Sequence, residues 1–505
     1  MTRLHDSMPE IKTQVMSQSY SRSFIKDNAV VIIGHILVYM KGIILMPIII
    51  KTVGVTIYGG FVLLTSILGI AFGLSSFGAG FRAKRFMPSA KAMTERSMLF
   101  YPQFYFNILI ILILSLLLVL LEKPLNTHLF KNEVSFSIWI IPLYLVLYLL
   151  YSQGSDYFRY TSRVHYMMLA GLCFPYLHIG FILLYLYAYG PISINMLVIS
   201  MALSATLIAI PTFWVIFREI GAKISFYKAG SLISDIKLGF PLVFGFIVDF
   251  ILAGSDRYFI AFYLTISAVG YYSSAYMLGS LIIFIPKAMG TALPQLMSKA
   301  VDSKNEFEAQ RMLNYAIKIF LLLAIPFIFG SIVLGKPILT LLANREVAEN
   351  AYWVTPIVAL GTLFYGLNII LSNVLFVRMK TYAMFKMNLF AAIFNLVANL
   401  ILLYFFRNII VAAITTFLSY FIAFIYINKI IKVDWPVDFQ PSVIIKSLTS
   451  SLFMVVLLFW IGNVNSVGML VGKLVFGVGA YTAVLLGLGT FSTKELRFIK
   501  SCVYR

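Results

Sequence analysis

Apolar stretches of about twenty residues follow one another through nearly the whole chain, with short polar gaps between them. A helix needs roughly 20 mostly apolar residues to cross a hydrocarbon core of about 30 Å. Inside lipid, only a helix or a closed barrel satisfies its own backbone hydrogen bonds, and these stretches are too continuously apolar for barrel strands. The sequence therefore predicts an all-α integral membrane protein with fourteen transmembrane helices, over 29–50, 58–81, 100–121, 136–153, 166–188, 193–217, 238–262, 268–290, 313–335, 352–377, 387–406, 409–427, 447–462 and 468–489.

The composition excludes a sizeable water-facing domain. Only 11% of the residues are charged and 61% are hydrophobic, with a mean hydropathy of +0.93, whereas a soluble domain carries about 25% charged residues. The net charge of +20 lies in short gaps between apolar stretches, which indicates membrane topology and no nucleic-acid partner. Cys173 and Cys502 form neither a disulfide framework nor a metal site, so no metal or other cofactor is expected.

Basic residues mark every second gap between the apolar stretches. Positive charge in short loops keeps those loops in the cytoplasm, so both termini are expected to be cytoplasmic. The opposite gaps are short, and an enzyme acting on the outer face would need a larger loop to build its site. The segments 1–28, 82–99, 154–165, 218–237, 287–312, 378–386, 428–446 and 490–505 hold 29 of the 39 Lys and Arg.

Two segments about 211 residues apart, 55–81 and 266–293, resemble each other. Each places glycine and aromatic residues before a span and small residues at its far end. Repeated halves with a site between them are a common transporter plan, which predicts two six-helix lobes around a central cavity plus two C-terminal helices. The expected divisions are 1–28 (cytoplasmic segment), 29–217 (N-lobe), 218–237 (linker), 238–427 (C-lobe), 428–446 (cytoplasmic loop), 447–489 (last two helices) and 490–505 (cytoplasmic tail).

Among the ionisable residues within the expected spans, Lys41, Asp249, Asp256 and Arg257 are the candidates for a functional role. A charge near the bilayer centre costs roughly 2.5–3.5 kcal/mol and normally faces a cavity or a partner. We expect Lys41 and Arg257 to bind an anionic substrate. The two aspartates would hold those cations in place or bind a coupling proton. The alternative is a Lys41–Asp249 or Asp256–Arg257 pair that only joins helices.

Uncharged polar residues are further candidates for contact with substrate. Asn395 and Asn399 lie four residues apart, on one face of a helix. Their amides would meet sugar hydroxyls or, alternatively, join helices at about 0.6–2 kcal/mol each. Tyr271 and Tyr276 would offer flat faces to sugars or, alternatively, belong to the interfacial aromatic belt.

The densest basic cluster, which includes Arg82, Lys84 and Arg85, follows the second apolar stretch at its cytoplasmic end. These cations would gather a diphosphate headgroup at the cytoplasmic mouth. The alternative is a topology signal without a role in binding.

Three segments resemble bacterial polysaccharide flippases, the O-antigen and exopolysaccharide repeat-unit translocases of the multidrug/oligosaccharidyl-lipid/polysaccharide exporter superfamily. The segment 254–280, "GSDRYFIAFYLTISAVGYYSSAYMLGS", is similar to the link between spans seven and eight of that family, and Asp256, Arg257, Tyr271 and Tyr276 are among its matching residues. The segments 54–68 and 388–420 resemble the start of span two and spans eleven and twelve.

The resemblance implies a flippase that moves undecaprenyl-diphosphate-linked oligosaccharide from the inner to the outer leaflet of the bacterial inner membrane by alternating access. It implies transport for O-antigen, a lipopolysaccharide component, or for another surface polysaccharide, with a polysaccharide polymerase and chain-length machinery as candidate partners. Two departures stand out. Ile410 and Val411 occupy positions where a glycine–alanine step is usual, and the first span has Lys41 where related drug exporters have an acid.

Other functions remain open from the sequence. A cation-coupled exporter of small molecules and a lipid II flippase belong to the same superfamily. A membrane glycosyl polymerase or ligase belongs to another class, and the chain lacks the large outer loop expected of it.

Overall fold

The computed structural model describes residues 34, 37, 38, 40–226, 229–462, 464 and 466–491. The expected segment 1–28, most of the first apolar stretch before residue 40, and the tail from 492 lie outside the described residues. Every regular element in the described part is a helix, which confirms the all-α fold.

Eight helices make up the first half of the described chain. Gly54, with φ of 91°, divides the first two, a backbone conformation that favours glycine. A π-helical turn, Leu125–Leu129, follows the short helix α5. The helices are α1 (40–53), α2 (Val55–Ser75), α3 (Phe81–Phe86), α4 (Met93–Leu120), α5 (Glu122–Pro124), α6 (Ile140–Tyr160), α7 (Val164–Tyr189) and α8 (Ile194–Ile220).

The second half of the described chain contributes eleven helices. The two short helices α10 and α14 lie beside longer neighbours, and the last two helices follow the rest. The helices are α9 (Ala229–Gly254), α10 (Asp256–Tyr263), α11 (Ile266–Gly279), α12 (Phe284–Asp302), α13 (Glu306–Leu342), α14 (Arg345–Ala351), α15 (Val354–Val377), α16 (Thr381–Phe406), α17 (Ile409–Asp434), α18 (Pro441–Trp460) and α19 (Val467–Gly487).

Twelve helical segments in the described part are long and apolar enough to cross a membrane. Helix α4 illustrates their construction, since it exposes Leu109, Leu116 and Leu120 and buries Gln103 and Asn107. Apolar side chains on the outside with polar ones inside are expected when the surrounding solvent is hydrocarbon. The chain is therefore a multi-pass membrane protein.

Two of the fourteen expected spans are not among these twelve. The first, 29–50, is described only from residue 40 onwards apart from isolated positions, as α1. The fourth, 136–153, falls on α6, whose C-terminal part carries Gln153, Asp156 and Arg159. These polar residues make α6 less apolar than its neighbours, and the total of fourteen remains a prediction.

Two stretches expected as single spans are interrupted. The stretch 238–262 divides at Ser255 into α9 and α10, and 268–290 divides into α11, a 3₁₀ turn at Leu281–Ile283, and α12. At Gly279 a Cβ atom would overlap the carbonyl oxygen of Thr355, so α11 ends in close contact with α15. Both segments are apolar on either side of the break, and hydropathy therefore gives no sign of the interruption.

The two halves meet where α2 crosses α11. Gly59 and Gly270 lie at this crossing, and a Cβ on Gly59 would overlap the carbonyl oxygen of Ile266. A Cβ on Gly270 would lie 2.5 Å from the carbonyl oxygen of Val55. The backbones approach this closely because both positions lack a side chain, as at other small-residue crossings of membrane helices.

The last two helices pack on the outside of α13. The Tyr481 hydroxyl donates to the carbonyl oxygen of Leu322 at 2.7 Å and lies 2.9 Å from Ser447 Oγ. Leu458 and Leu485 are buried in the same cluster. An apolar groove of about 360 Å³ lies between this helix pair and the second half, among residues that include Leu278, Leu322, Phe327, Gly330, Met454 and Leu474.

Candidate functional site

Lys41 lies on α1 with its ammonium 5.7 Å from the centre of the Phe174 ring on α7. No carboxylate of the described residues lies within 4.0 Å of it, and Asp249 in particular does not pair with it. The cation–π contact partly offsets the cost of placing this charge among apolar helices. An ammonium that lies among apolar helices without a carboxylate partner retains its capacity to attract an anion.

A row of aromatic rings extends from Phe174 into the first half, and sequence reasoning missed it. Phe174 stacks on Tyr151 at 4.9 Å, Tyr151 lies 5.4 Å from Tyr148, and Tyr148 meets Phe72 edge-on at 4.8 Å. The spacing of Tyr144, Tyr148 and Tyr151, four and then three residues apart, is the signal that predicts one helical face. Such rings provide flat surfaces against which an uncharged ligand can pack.

Arg257, the other candidate cation, also has no carboxylate partner among the described residues. Its guanidinium lies 5.3 Å from the centre of the Tyr276 ring, and its Nη1 donates to the carbonyl oxygen of Ala253 at 3.2 Å. Its Nε is buried without a hydrogen-bond partner. Arg257 forms no ion pair with the adjacent Asp256, because that carboxylate faces other helices.

The Asp256 carboxylate is 2% exposed and accepts hydrogen bonds from three helices. Tyr272 and Thr416 donate to Oδ2 at 2.6 Å each, and Asn399 Nδ2 donates to Oδ1 at 2.9 Å. These bonds join α10 to α11, α16 and α17. A carboxylate with this many donors is satisfied within the protein, and the contacts favour a packing role.

Asn395 and Asn399 extend the same network. Asn395 Oδ1 accepts from Ser255 at 3.0 Å and from Asn399 at 3.2 Å, and Asn399 Oδ1 accepts from Thr415 at 2.7 Å. Both side chains are fully buried. The structure thus brings three candidate residues together, Asp256, Asn395 and Asn399, as a polar connection between helices.

Asp249 lies apart from this network, on a cavity of about 540 Å³ in the second half. Asn368, Ser372 and Asn373 of α15 and Asn388 of α16 line the same cavity. The Asn368 oxygen is buried without a hydrogen-bond partner, while its nitrogen donates to the carbonyl oxygen of Tyr420 at 3.0 Å. A carboxylate and a free amide oxygen in one cavity can bind a proton or a small cation.

The two candidate tyrosines have different surroundings. Tyr276 lies under the Arg257 guanidinium, whereas Tyr271 donates a hydrogen bond to the Glu346 carboxylate on α14. Tyr271 therefore connects α11 to the short helix α14.

The three basic residues that follow α2, Arg82, Lys84 and Arg85, have different surroundings. Arg82 pairs with Asp235 of α9, with 3.7 Å between Nε and Oδ1, and so connects the two halves. Lys84 lines a polar cavity of about 290 Å³ with residues of α4, α6 and α9. Arg85 is exposed with its guanidinium 5.8 Å from the centre of the Phe86 ring.

The described residues contain no group of three or more His, Cys, Asp and Glu side chains that could hold a metal ion.

Comparison with known proteins identifies the family. A family model described as "Polysaccharide biosynthesis protein" matches residues 24–299, more than half of the chain. This chain belongs to the polysaccharide biosynthesis protein family. A second family model, MatE, matches residues 241–401 of this polysaccharide biosynthesis protein. The resemblance found in the sequence is confirmed.

One curated relative is a probable lipid II flippase MurJ of Rickettsia prowazekii, 31% identical over 142 residues. That match spans 27% of this chain and 28% of the relative, so little more than a quarter of the relative's length is covered.

Solved structures with the same fold extend over most of the chain. A lipid II flippase MurJ in an inward closed conformation aligns with a TM-score of 0.68 at 18% identity, covering 90% of this chain and 97% of that one. A multidrug resistance MATE family transporter of the MOP superfamily, in an inward-facing conformation, aligns with a TM-score of 0.62 at 14% identity, covering 79% and 95%. At such identities the likeness shows the fold, which these transporters and this polysaccharide biosynthesis protein share.

Proposed function

We propose that this protein is a flippase that moves undecaprenyl-diphosphate-linked oligosaccharide repeat units from the inner to the outer leaflet of the bacterial inner membrane. The observation that carries the proposal concerns two cations among apolar helices, Lys41 and Arg257, neither of which has a carboxylate partner among the described residues. A member of this family with two such charges is suited to an anionic substrate.

Moving the substrate's charged head group through the membrane costs free energy. A sugar–diphosphate cannot cross hydrocarbon unaided, because buried charges and hydroxyls without partners are expensive. Two cations can offset part of the diphosphate's desolvation cost. The contacts of Lys41 and Arg257 with aromatic rings are weak enough to be exchanged for an anion, so the head can be both bound and released.

The apolar groove beside α13, α18 and α19 supports the lipid part of the proposal. Its lining is almost wholly aliphatic and aromatic, with Tyr481 and Ser331 among the few polar residues. We propose that a polyprenyl tail lies in this groove while the head occupies the interior. The tail then stays in an apolar environment throughout transport.

We propose alternating access between two lobes, 29–217 and 238–427, with fourteen spans and both termini in the cytoplasm. Helices 447–489 would form the outer wall of the groove, and 218–237 and 428–446 would be cytoplasmic connections. The lobes are related as parallel repeats, for which a site between them is the usual plan. Asp249 in the second lobe would bind the coupling proton or cation.

Lipid II flipping is the second candidate. It is favoured by the 31% identity over 142 residues to a probable lipid II flippase and by the alignment with a solved lipid II flippase. A small-molecule exporter fits less well, because α1 carries Lys41 and its described part, 40–53, has no acid. A polymerase is disfavoured, because the solved relatives are transporters.

The deciding experiment is deletion of the gene, followed by analysis of surface glycan and of polyprenyl-linked sugars in the membrane. Loss of surface polymer, with single lipid-linked repeat units trapped on the cytoplasmic side, is expected. Growth arrest with trapped lipid II would identify the second candidate. Repeat units that still reach the outer surface would overturn the proposal. That result would indicate that this protein acts as a polymerase or in another role, and not in transport.

A further inference from the structure

The polar cavity that Lys84 lines is also lined by uncharged polar residues. It lies among α2, α3, α4, α6 and α9 and measures about 290 Å³. That is near the lower limit of pockets that bind small organic molecules, and far larger than the space of one water molecule. Gln103 and Asn107 of α4 and Gln153 of α6 line it.

Two amide oxygens in this cavity have no hydrogen-bond partner. Gln103 is 3% and Asn107 1% exposed, and both Gln103 Oε1 and Asn107 Oδ1 are unpartnered. Gln103 uses its nitrogen to donate to Gln153 Oε1 at 3.2 Å. Buried acceptors without donors are unfavourable, and native proteins normally supply them with water or a ligand.

The charges around the cavity limit what that ligand is. Lys84, Asp156 and Arg159 line it towards the end of α6, and Arg159 Nη1 lies 3.5 Å from Asp156 Oδ1. Lys84 leaves an excess of positive charge, which disfavours a metal cation. Uncharged hydroxyl or amide donors suit the two free oxygens, and an attached negative group suits Lys84.

Aromatic rings complete the surroundings. Phe72 and Phe246 line the cavity, and Phe246 lies so close to Gly73 that a Cβ there would overlap its ring. Flat apolar faces next to amide oxygens match a sugar ring, which presents C–H groups on its faces and hydroxyls on its edge.

We propose that this cavity is the glycan subsite of the transporter, in which Gln103 and Asn107 accept hydrogen bonds from a sugar of the lipid-linked substrate. The inference rests on the proposed function and names the part of the chain that would select the glycan. It assigns sugar recognition to α4 and α6, whereas the buried amides of α16 hold helices together.

Asn107→Leu in the full-length protein tests this subsite. The lipid-linked glycan that accumulates in the deletion strain serves as one ligand, and undecaprenyl diphosphate without sugar as the other. Binding of the glycan lipid to protein in nanodiscs is expected to weaken at least about fivefold, while binding of the bare lipid is unchanged. The melting temperature should stay the same or rise, because Leu removes an unsatisfied oxygen and breaks no hydrogen bond.

Ser115→Ala is the matched control, since Ser115 is a buried polar residue of the same helix that does not line the cavity. It should leave both affinities unchanged. Asn107→Ser repeats the test with a small polar residue if the leucine variant is poorly expressed, and the same selective loss is expected.

Three results would overturn the inference alone. The Asn107 variants could bind the glycan lipid as tightly as the natural protein does, or bind both lipids more weakly to the same extent. Sodium or potassium could also raise the melting temperature of the natural protein but not that of Asn107→Leu. Failure of the natural protein to bind the glycan lipid would instead overturn the proposed function. The two failures are therefore distinguishable.

Discussion

Thr56 Oγ1 and Ser267 Oγ lie 2.7 Å apart, and the two residues are separated by 211 positions. The same offset relates the two similar segments of the sequence, so a residue of one half contacts its own counterpart in the other. Gly59 and Gly270 repeat the relationship one turn further along. Contacts between counterparts are what two repeated halves would show near the axis that relates them.

A disulfide between Cys residues at positions 56 and 267 is expected to stop transport. In a Cys173→Ala, Cys502→Ala background, Thr56→Cys and Ser267→Cys would place the two sulfurs within reach of a bond and hold α2 against α11. Transport by the oxidised protein should fall to background, and a reductant should restore it. Undiminished transport by fully cross-linked protein would mean that this crossing does not open during the cycle.

A side chain at the crossing should also impair the protein. Gly59→Val would overlap the backbone of α11, so the halves cannot approach as they do here. We expect transport to fall at least about tenfold at equal protein levels, measured by restoration of surface glycan in the deletion strain. Gly69→Val is the control, because nothing lies within 4 Å of a Cβ at Gly69 in the same helix.

Removing the charge of Lys41 should lower transport without lowering protein levels. A hydrogen bond to a charged group contributes about 1.5–3 kcal/mol, so Lys41→Ala is expected to weaken binding of undecaprenyl diphosphate by about tenfold or more. Lys336→Ala is the control, since Lys336 is exposed and likewise lies over an aromatic ring, 5.4 Å from the Tyr352 centre. Equal binding by both variants would remove Lys41 from the site.

Asp256 and Asp249 should respond differently to replacement by asparagine. Asp256→Asn turns an acceptor into a donor that faces donors, which is expected to destabilise the protein by about 1–3 kcal/mol. Transport per folded molecule should be retained. A thermal unfolding series together with transport at equal folded protein measures both effects, and a stable but inactive variant would show that Asp256 serves transport directly.

Asp249→Asn should leave stability unchanged and remove the coupling of transport to an ion gradient. Asp249 accepts no hydrogen bond from the described residues and faces a cavity. Transport in proteoliposomes, with and without an imposed proton or sodium gradient, checks this. Asp302→Asn serves as the control, because Asp302 is exposed at the end of α12. A gradient that still accelerates the Asp249 variant would place coupling elsewhere.

Filling the apolar groove should weaken binding of the lipid tail. Gly330 lines the groove, and the nearest atom to a Cβ there is Met454 Cε at 3.9 Å, so the backbone accepts a side chain and Gly330→Leu fills part of the groove. Affinity for undecaprenyl diphosphate is expected to fall about tenfold. Gly472→Leu in α19, where nothing lies within 4 Å, is the control. Unchanged affinity in the Gly330 variant would show that the tail does not occupy the groove.

Much of the architecture was predictable because membrane helices follow a local rule: each needs about twenty apolar residues whatever its neighbours are. The twelve membrane-length helices can be predicted from this rule. The 211-residue offset can be seen by comparing the segments 55–81 and 266–293 of the sequence. The breaks at Ser255 and Ser280 were not predictable, because they arise where α10 joins the Asp256 network and where Gly279 packs on α15.

Hydropathy along the sequence is enough to predict a helical membrane protein, and the charges of Lys41, Asp249, Asp256 and Arg257 stand out in it. The partners of these charges become visible only in the folded chain. It satisfies Asp256 with Tyr272, Thr416 and Asn399, and it pairs no carboxylate with Lys41 or Arg257 among the described residues. Hydropathy depends on each residue's own side chain, whereas pairing depends on which helices pack together across hundreds of residues.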